Sequence, residues 1–445
     1  MRSNPRPSFS LSKAQALWPP LTRLRYDALT DRSWSHCEFV ARPLARSWTG
    51  KLQPLLAISL SRLIVAAGSC LYSYKFMVPI VDGEAPPMIF EGSCSLTERH
   101  EPRRDITGIT FVADGGLDQT FYLGFQDGAL ERVFLIPPSR NGQPPLTIER
   151  RLTDMQLHDG NLIESIFSEG NYLLSLSASG TAALSDLSTE TLSSNAINLL
   201  KRSWTSHLCM RSSTPYAAFG TSSTTPLTIH SIENDRLVPT PSAILYTNTN
   251  VGNLLDNLPS SAVYGISRPP PSSPWGSSPQ ILVAGWYDGQ VRCYDLRSSS
   301  RTSSSFGTPT PLRPVLSLSD PWSYESIYDV SCGGGSASHI AAGSARHSVV
   351  SFWDVRFPNL GWSVHAPGND TSPVYSVILE SSRLFGATHS RPFVYDFGPG
   401  VTLDTYPHLP QTRGFDGLKR KKDLSGIGYY VTTYYHYPST IGNEH

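Results

Sequence analysis

ILVAGWYDGQVRCYDLR, residues 281–297, decides how the rest of the chain is read. Ile281 to Trp286 is an apolar run of residues that suit a pleated, buried surface, and Gln290 to Tyr294 alternates before closing on Asp295. Asp288-Gly289 between them supplies a tight turn, because Gly accepts a positive φ without a Cβ clash. Two strands alone bury too little to offset their ordering entropy, so this hairpin needs neighbours.

The neighbours are copies of it. TFYLGFQDGALERVFL (120–135) aligns without gaps, with Gly124 on Gly285 and Asp127-Gly128 on Asp288-Gly289. YLLSLSASGTAALSDL (172–187), HIAAGSARHSVVSFWDVR (339–356), RLFGATHSRPFVYDF (383–397) and the shorter RLIVAAGSCLYSYKF (62–76) keep the same plan. A further short strand precedes most of them, as in DITGITFV (105–112), LIESIFS (162–168), AVYGIS (262–267), SIYDVSC (326–332) and PVYSVIL (373–379). A fourth can follow, as in PVLSLSD (314–320) and GWSVHAP (361–367). With the degenerate interval 204–232 included, the units begin near residues 50, 105, 162, 204, 262, 326 and 373. That spacing fits the roughly 40 to 45 residues of a propeller blade. The expected fold is an all-β propeller of about seven four-stranded antiparallel blades, with six or an irregular seven as the alternative. Gly285, Gly343 and Ala342 suit close approach of neighbouring sheets.

Composition agrees and narrows the function. Of 445 residues 39% are apolar before glycine is counted, enough for a large core. Lys+Arg and Asp+Glu balance at 36 each, so no global field selects nucleic acid or an anionic membrane. Six scattered cysteines without a C-x-x-C pair read as reduced thiols rather than a disulfide framework or a zinc site. The N-terminal twenty residues lack a continuous apolar core, which points to an intracellular protein, cytoplasmic or nuclear or both. No G-x-S-x-G, P-loop or H-E-x-x-H is present, so neither a catalytic residue, a cofactor nor a metal is expected.

FWDVR (352–356), CYDLR (293–297) and VYDF (394–397), together with the DG turns at Asp127 and Asp288, resemble the WD-repeat family over roughly residues 50–400. The family's Gly-His pair before strand a is absent, and with it any basis for assuming the family's Asp/His network. The block 17–76 is similar to the segment joining an F-box to the first blade in fungal F-box and WD-repeat proteins, although no F-box helices are visible. The resemblance implies a non-catalytic interaction scaffold, monomeric within a larger complex, with a protein partner or a ubiquitylation substrate on the propeller as in a cullin-RING ligase. A propeller enzyme with a polar channel site, or an F-box-less scaffold in another complex, is the alternative. It also implies that the b–c turns share one face, which places Tyr287, Asp288, Arg346, His347, His389 and Arg391 on a rim around the channel as partner-binding candidates.

The expected domain plan is a flexible segment over 1–30, the propeller over 31–407, and a tail over 408–445 that packs on it or extends from it. Pro/Ser-rich insertions interrupt the propeller at 268–280 and 297–314, and basic residues gather at 419–422. Ring closure falls to CEFVARPL (37–44) or GVTLDTYP (400–407); the first is favoured because its position mirrors GWSVHAP before the last unit.

Overall fold

The computed structural model describes residues 9–79, 83–97, 104–136, 146–153, 157–188, 194–247, 259–272, 277–298, 309–334, 337–367, 371–409 and 426–437. Seven antiparallel units follow one another along the chain, the fourth and fifth joined into one sheet where Ser222 pairs with Ala262. Their innermost strands, called strand a, are Leu55–Ile58, Ile106–Phe111, Ile163–Glu169, Arg202–Cys209, Ser261–Ser267, Ile327–Gly333 and Val374–Glu380. Each strand a lies against the next, and that of blade 7 lies against that of blade 1. The ring is closed, and the described strands form a seven-bladed β-propeller.

The blades form because their middle strands are apolar on both faces. In blade 5, strand b (Ile281–Trp286) is buried at every position, and strand c (Gln290–Asp295) is buried from Val291 to Tyr294. Strand b of blade 2 (Thr120–Phe125), of blade 6 (His339–Ser344) and of blade 7 (Arg383–Thr388) shows the same burial. A strand covered by sheets on both sides needs this composition. The glycine that precedes each DG turn has a steric reason: a Cβ on Gly285 would stand 2.6 Å from Ile327 of the next strand a, and one on Gly124 2.6 Å from Ile163.

Closure is made by the N-terminal strand Val40–Pro43, which pairs antiparallel with strand c of blade 7 (Pro392–Asp396), Ala41 opposite Tyr395. The competing segment turns into a short 3-10 helix, Leu403–Thr405. The degenerate interval 204–232 supplies three strands of blade 4, its strand a with Tyr216–Ser223 and Leu227–Glu233, and Ala243–Leu245 beyond it completes the blade. Its outer edge gains Thr310–Leu312 in parallel, the returning end of the 297–314 insertion. Most of that insertion, part of 268–280 and the basic cluster 419–422 lie outside the described residues.

The expected flexible start is corrected within the described residues. Two helices occupy it: α1 (Leu11–Leu17), whose Ser10 cap accepts the Lys13 N–H, and α2 (Pro20–Ser35), opened by a proline in the first turn, where its missing N–H costs nothing. Trp34 of α2 stacks on Phe397 at 3.7 Å between ring centroids, inside the blade 6–7 core. At the other end of the chain Thr433–Tyr435 adds a fifth strand to blade 6, beside Gly361–His365.

Candidate functional site: the mouth of the central channel

Strand a does not pair in uniform register with strand b. In blades 2 to 7 the register slips by one residue near the start of strand a, between Ile106/Gly108, Ile163/Ser165, Ser203/Thr205, Val263/Gly265, Ile327/Asp329 and Val374/Ser376. A bulge of this kind re-aims one side chain. The residues set free are Thr107, Glu164, Trp204, Tyr264, Tyr328 and Tyr375.

Four consecutive members are aromatic and touch in sequence. Trp204 meets Tyr264 edge-on at 5.1 Å, Tyr264 meets Tyr328 edge-on at 5.4 Å, and Tyr328 stacks on Tyr375 at 5.8 Å. Coming from the innermost strands of blades 4 to 7, they form a half-buried arc around the axis. The arc ends in charge: the Arg202 guanidinium lies 3.7 Å over the Trp204 ring and 2.9 Å from the Glu164 carboxylate of blade 3. Burial raises the Glu164 carboxyl, and Arg202 opposes that shift. Among the described residues nothing accepts a hydrogen bond from the hydroxyls of Tyr264, Tyr328 or Tyr375.

The arc lies at the end of the ring that carries the b–c turns. The Tyr287 N–H donates to the Ala262 carbonyl (2.9 Å), two residues before Tyr264, and Ser326 Oγ donates to the Tyr287 carbonyl (2.8 Å). Gly289, at φ +79°, lets this turn seat against the next loop, where a Cβ would stand 3.1 Å from the Glu325 carbonyl oxygen. Tyr287 (58% exposed) and Tyr324 (86% exposed) carry the aromatic surface outward from the arc.

The six residues singled out from the sequence do sit in b–c turns of blades 5, 6 and 7, but they divide in character. Tyr287 is open. Arg346 is exposed and lies 3.6 Å from Glu325, and His347 is exposed at a positive φ of 61°. Asp288 is no free anchor: both its oxygens accept from the buried Arg292, at 2.9 and 2.6 Å. His389 is half-buried, and its carbonyl accepts the Leu52 N–H. Arg391 is corrected as a surface group. The connection between the closure strand and blade 1 folds over it, Ser47 Oγ accepts from its guanidinium, and it is 5% exposed.

Polar groups along strand a hold blades together. Asp329 accepts the N–H of Val330 (2.9 Å) and, across the blade boundary, that of Val377 (2.8 Å), while burial pushes its carboxyl up to about 7. Ser331 Oγ accepts the Leu379 N–H, and Ser165 Oγ the Ser206 N–H, in the same way. One grouping has the residue types of nucleophilic catalysis, Ser363, His436 and Asp320. Ser363 is fully buried, and its hydroxyl donates to Asp320 at 2.8 Å. Asp320 faces the same imidazole nitrogen, Nε2, that Ser363 contacts, so no carboxylate orients the ring from behind as a triad requires. This grouping pins the fifth strand of blade 6.

The sequence reading missed the arc. Its trace is a repeated β-branched residue, tyrosine, then a small or short polar residue, in AVYGIS, SIYDVSC and PVYSVIL at the same place in three successive units.

No family model matches the chain, and no curated protein matches it. Among solved structures the chain is similar to Chaetomium thermophilum Sqt1, seen bound to the N-terminus of the ribosomal protein L10. The TM-score is 0.49 at 15% identity, over 76% of this chain and 81% of that one.

Proposed function

We propose that the protein is a non-catalytic protein-interaction scaffold whose docking face is the channel mouth. The observation that carries this reading is the arc Trp204, Tyr264, Tyr328 and Tyr375: large aromatic side chains, raised off the regular ladder by recurrent bulges, with three hydroxyls unspent. Rigid aromatics with a polar tip are the residues that anchor protein interfaces, because they bury much area at little entropic cost. Tyr287 and Tyr324 widen the patch. The channel's own polar groups serve inter-blade contacts, which supports a binding role over a catalytic one.

The narrower reading is substrate recognition for an F-box type ubiquitin ligase, and it rests on the resemblance of block 17–76 alone. Affinity purification of wild type beside Tyr264→Ala/Tyr328→Ala/Tyr375→Ala tests the scaffold reading. The triple variant should lose the specific partners while staying folded, its melt lower by several degrees, and an identical partner set would remove the mouth as the docking face. Cullin-RING components among the wild-type partners would support the narrower reading.

A further inference from the structure

Helix α2 is packed the opposite way round from an ordinary amphipathic helix. Tyr26, Thr30 and Trp34, four residues apart, are its buried residues. Leu21, Leu24, Ala28 and Leu29 fall on the other side and are exposed, Leu21 at 78% and Leu24 at 65%. At about 100° per residue these four span an arc of roughly 140°. Leu17, at the end of α1, is exposed beside them in the chain. Contiguous exposed leucines on one rigid face mark a surface meant for covering.

Charge says what covers it. Both carboxylates of α2 lie outside the leucine arc and are engaged: Asp27 accepts from Gln15 (3.2 Å) and lies 3.7 Å from Arg23, and Asp31, just past the arc's edge beside Leu24, lies 3.5 Å from Arg356 of blade 6. Arg25 and Arg32 fall within the leucine arc and are exposed. They stand seven residues apart, about 10 Å along the helix. The face is therefore apolar with two cations and no carboxylate. It is also held rigidly: the Ser12 N–H donates to Glu380, Ser381 Oγ donates to Gln15, and Tyr26 hydrogen-bonds Ser382, so a partner would meet a preformed surface. A lipid surface is a poorer match, since anionic membranes are held by clusters of about four to eight basic residues.

We propose that the outer face of α2 docks an acidic amphipathic helix of a partner protein. Leucines of that helix would lie between Leu21, Leu24 and Leu29, and carboxylates two turns apart would meet Arg25 and Arg32. This site is at the α2 side of blades 6 and 7, separate from the channel mouth, and it stands whether or not the mouth binds anything.

The test is a displayed library of 18-residue helices, with leucines fixed along one stripe and Glu, Gln or Lys at the flanking positions, selected on the full-length protein. Enrichment of Glu at the flanks is expected. Recovered peptides should bind Arg25→Glu/Arg32→Glu at least tenfold more weakly, while their Lys-substituted counterparts bind it more tightly than they bind wild type. Both positions are on the surface, so the thermal melt should be unchanged and a loss of binding is not a loss of fold. Selection without acidic bias, or affinity that survives the charge reversal, overturns the proposal. So do sedimentation with phosphatidylserine vesicles that Leu21→Asp/Leu24→Asp abolishes, which assigns the face to lipid, and a concentration-dependent dimer dissolved by the same variant, which assigns it to a second copy of the chain.

Discussion

Tyrosines at the seam and tyrosines at the mouth meet opposite ends. At the seam two hydroxyls are consumed, Tyr26 with Ser382 at 2.8 Å and Tyr406 on Asp396 at 2.5 Å, over a fully buried Arg383–Asp396 pair at 3.3 Å, while the buried Tyr395 hydroxyl has no partner among the described residues. At the mouth Tyr264, Tyr328 and Tyr375 are half-buried, in ring contact with one another and without a hydroxyl partner among the described residues. A buried polar group left unpaired costs stability, so the Tyr26 and Tyr406 hydroxyls gain from partners inside the protein. A half-exposed one is satisfied by water, and water can be exchanged for a partner. The contrast separates residues that make the ring from residues that the ring presents.

The harshest way to break that contrast is to remove the seam. Deleting residues 1–46 strips α1, α2 and Val40–Pro43, leaving the Pro392–Asp396 edge bare and Tyr406 and Arg383 open to water. The melting temperature should fall by about 10 °C or more, as calorimetry would show, because an open ring exposes core along two blades. An unchanged melt would mean that the strand decorates blade 7 rather than closing it.

Within the seam, Arg383→Ala leaves Asp396 buried with Ser382 and Tyr406 but no cation. Breaking such a pair by deleting one partner costs about 3 to 5 kcal/mol. The loss should be read as a lower urea midpoint at unchanged slope. A cost near zero would place water in the site.

Buried hardware elsewhere in the ring carries a pH signature of its own. His207 on strand a of blade 4 is buried against Phe167 at 4.7 Å, and burial, aided by the Arg268 charge, depresses its imidazole to about 3. Its folded value lies below the unfolded one near 6.5, so its contribution is complete above pH 6.5 and is lost as pH falls toward 3. The slope is roughly 1.4 kcal/mol per pH unit inside that window. His207→Phe should flatten the difference between urea midpoints at about pH 7.5 and about pH 5, and an equal slope in both proteins would refute the assignment.

What was legible in the sequence follows from what each part is built of. Strand b runs such as ILVAG and the DG turns advertise blades, because doubly covered strands must be apolar and tight turns must hold glycine. Blade 4 was faint because its b–c turn runs through Thr224, Thr225 and Pro226 without a DG pair, and part of its outer edge comes from Thr310–Leu312, far along the chain. Helices α1 and α2 were hidden because α2 buries Tyr26, Thr30 and Trp34 while its leucines face out, so the hydrophobic period points the wrong way. Among the rim candidates, Tyr287 keeps its exposure, whereas Asp288 and Arg391 were lost to Arg292 and to the 44–54 connection, partners that no local pattern reveals. Bulges are equally silent: one extra residue per strand alters no composition, and only the triplet recurrence of tyrosine hints at the arc.

The smallest expected change in stability comes with the largest expected change in binding. Tyr328 sits at the centre of the arc, touching Tyr264 on one side and Tyr375 on the other, on a bulge where its side chain leaves the ladder undisturbed. Tyr328→Ala removes two ring contacts, worth about 0.5 to 1.5 kcal/mol each at most. Solvent already reaches the ring, so the net loss of stability should be about 1 kcal/mol, well short of that for Arg383→Ala. Truncating a central aromatic anchor of an interface costs about 2 kcal/mol or more of binding. Partner affinity should therefore fall by more than tenfold while the melt shifts by a few degrees, and Tyr328→Phe, which keeps the rings and removes the hydroxyl, should sit between the two. If Tyr328→Ala unfolds the protein as readily as a seam variant does, the arc is hardware after all and the contrast between the two regions collapses.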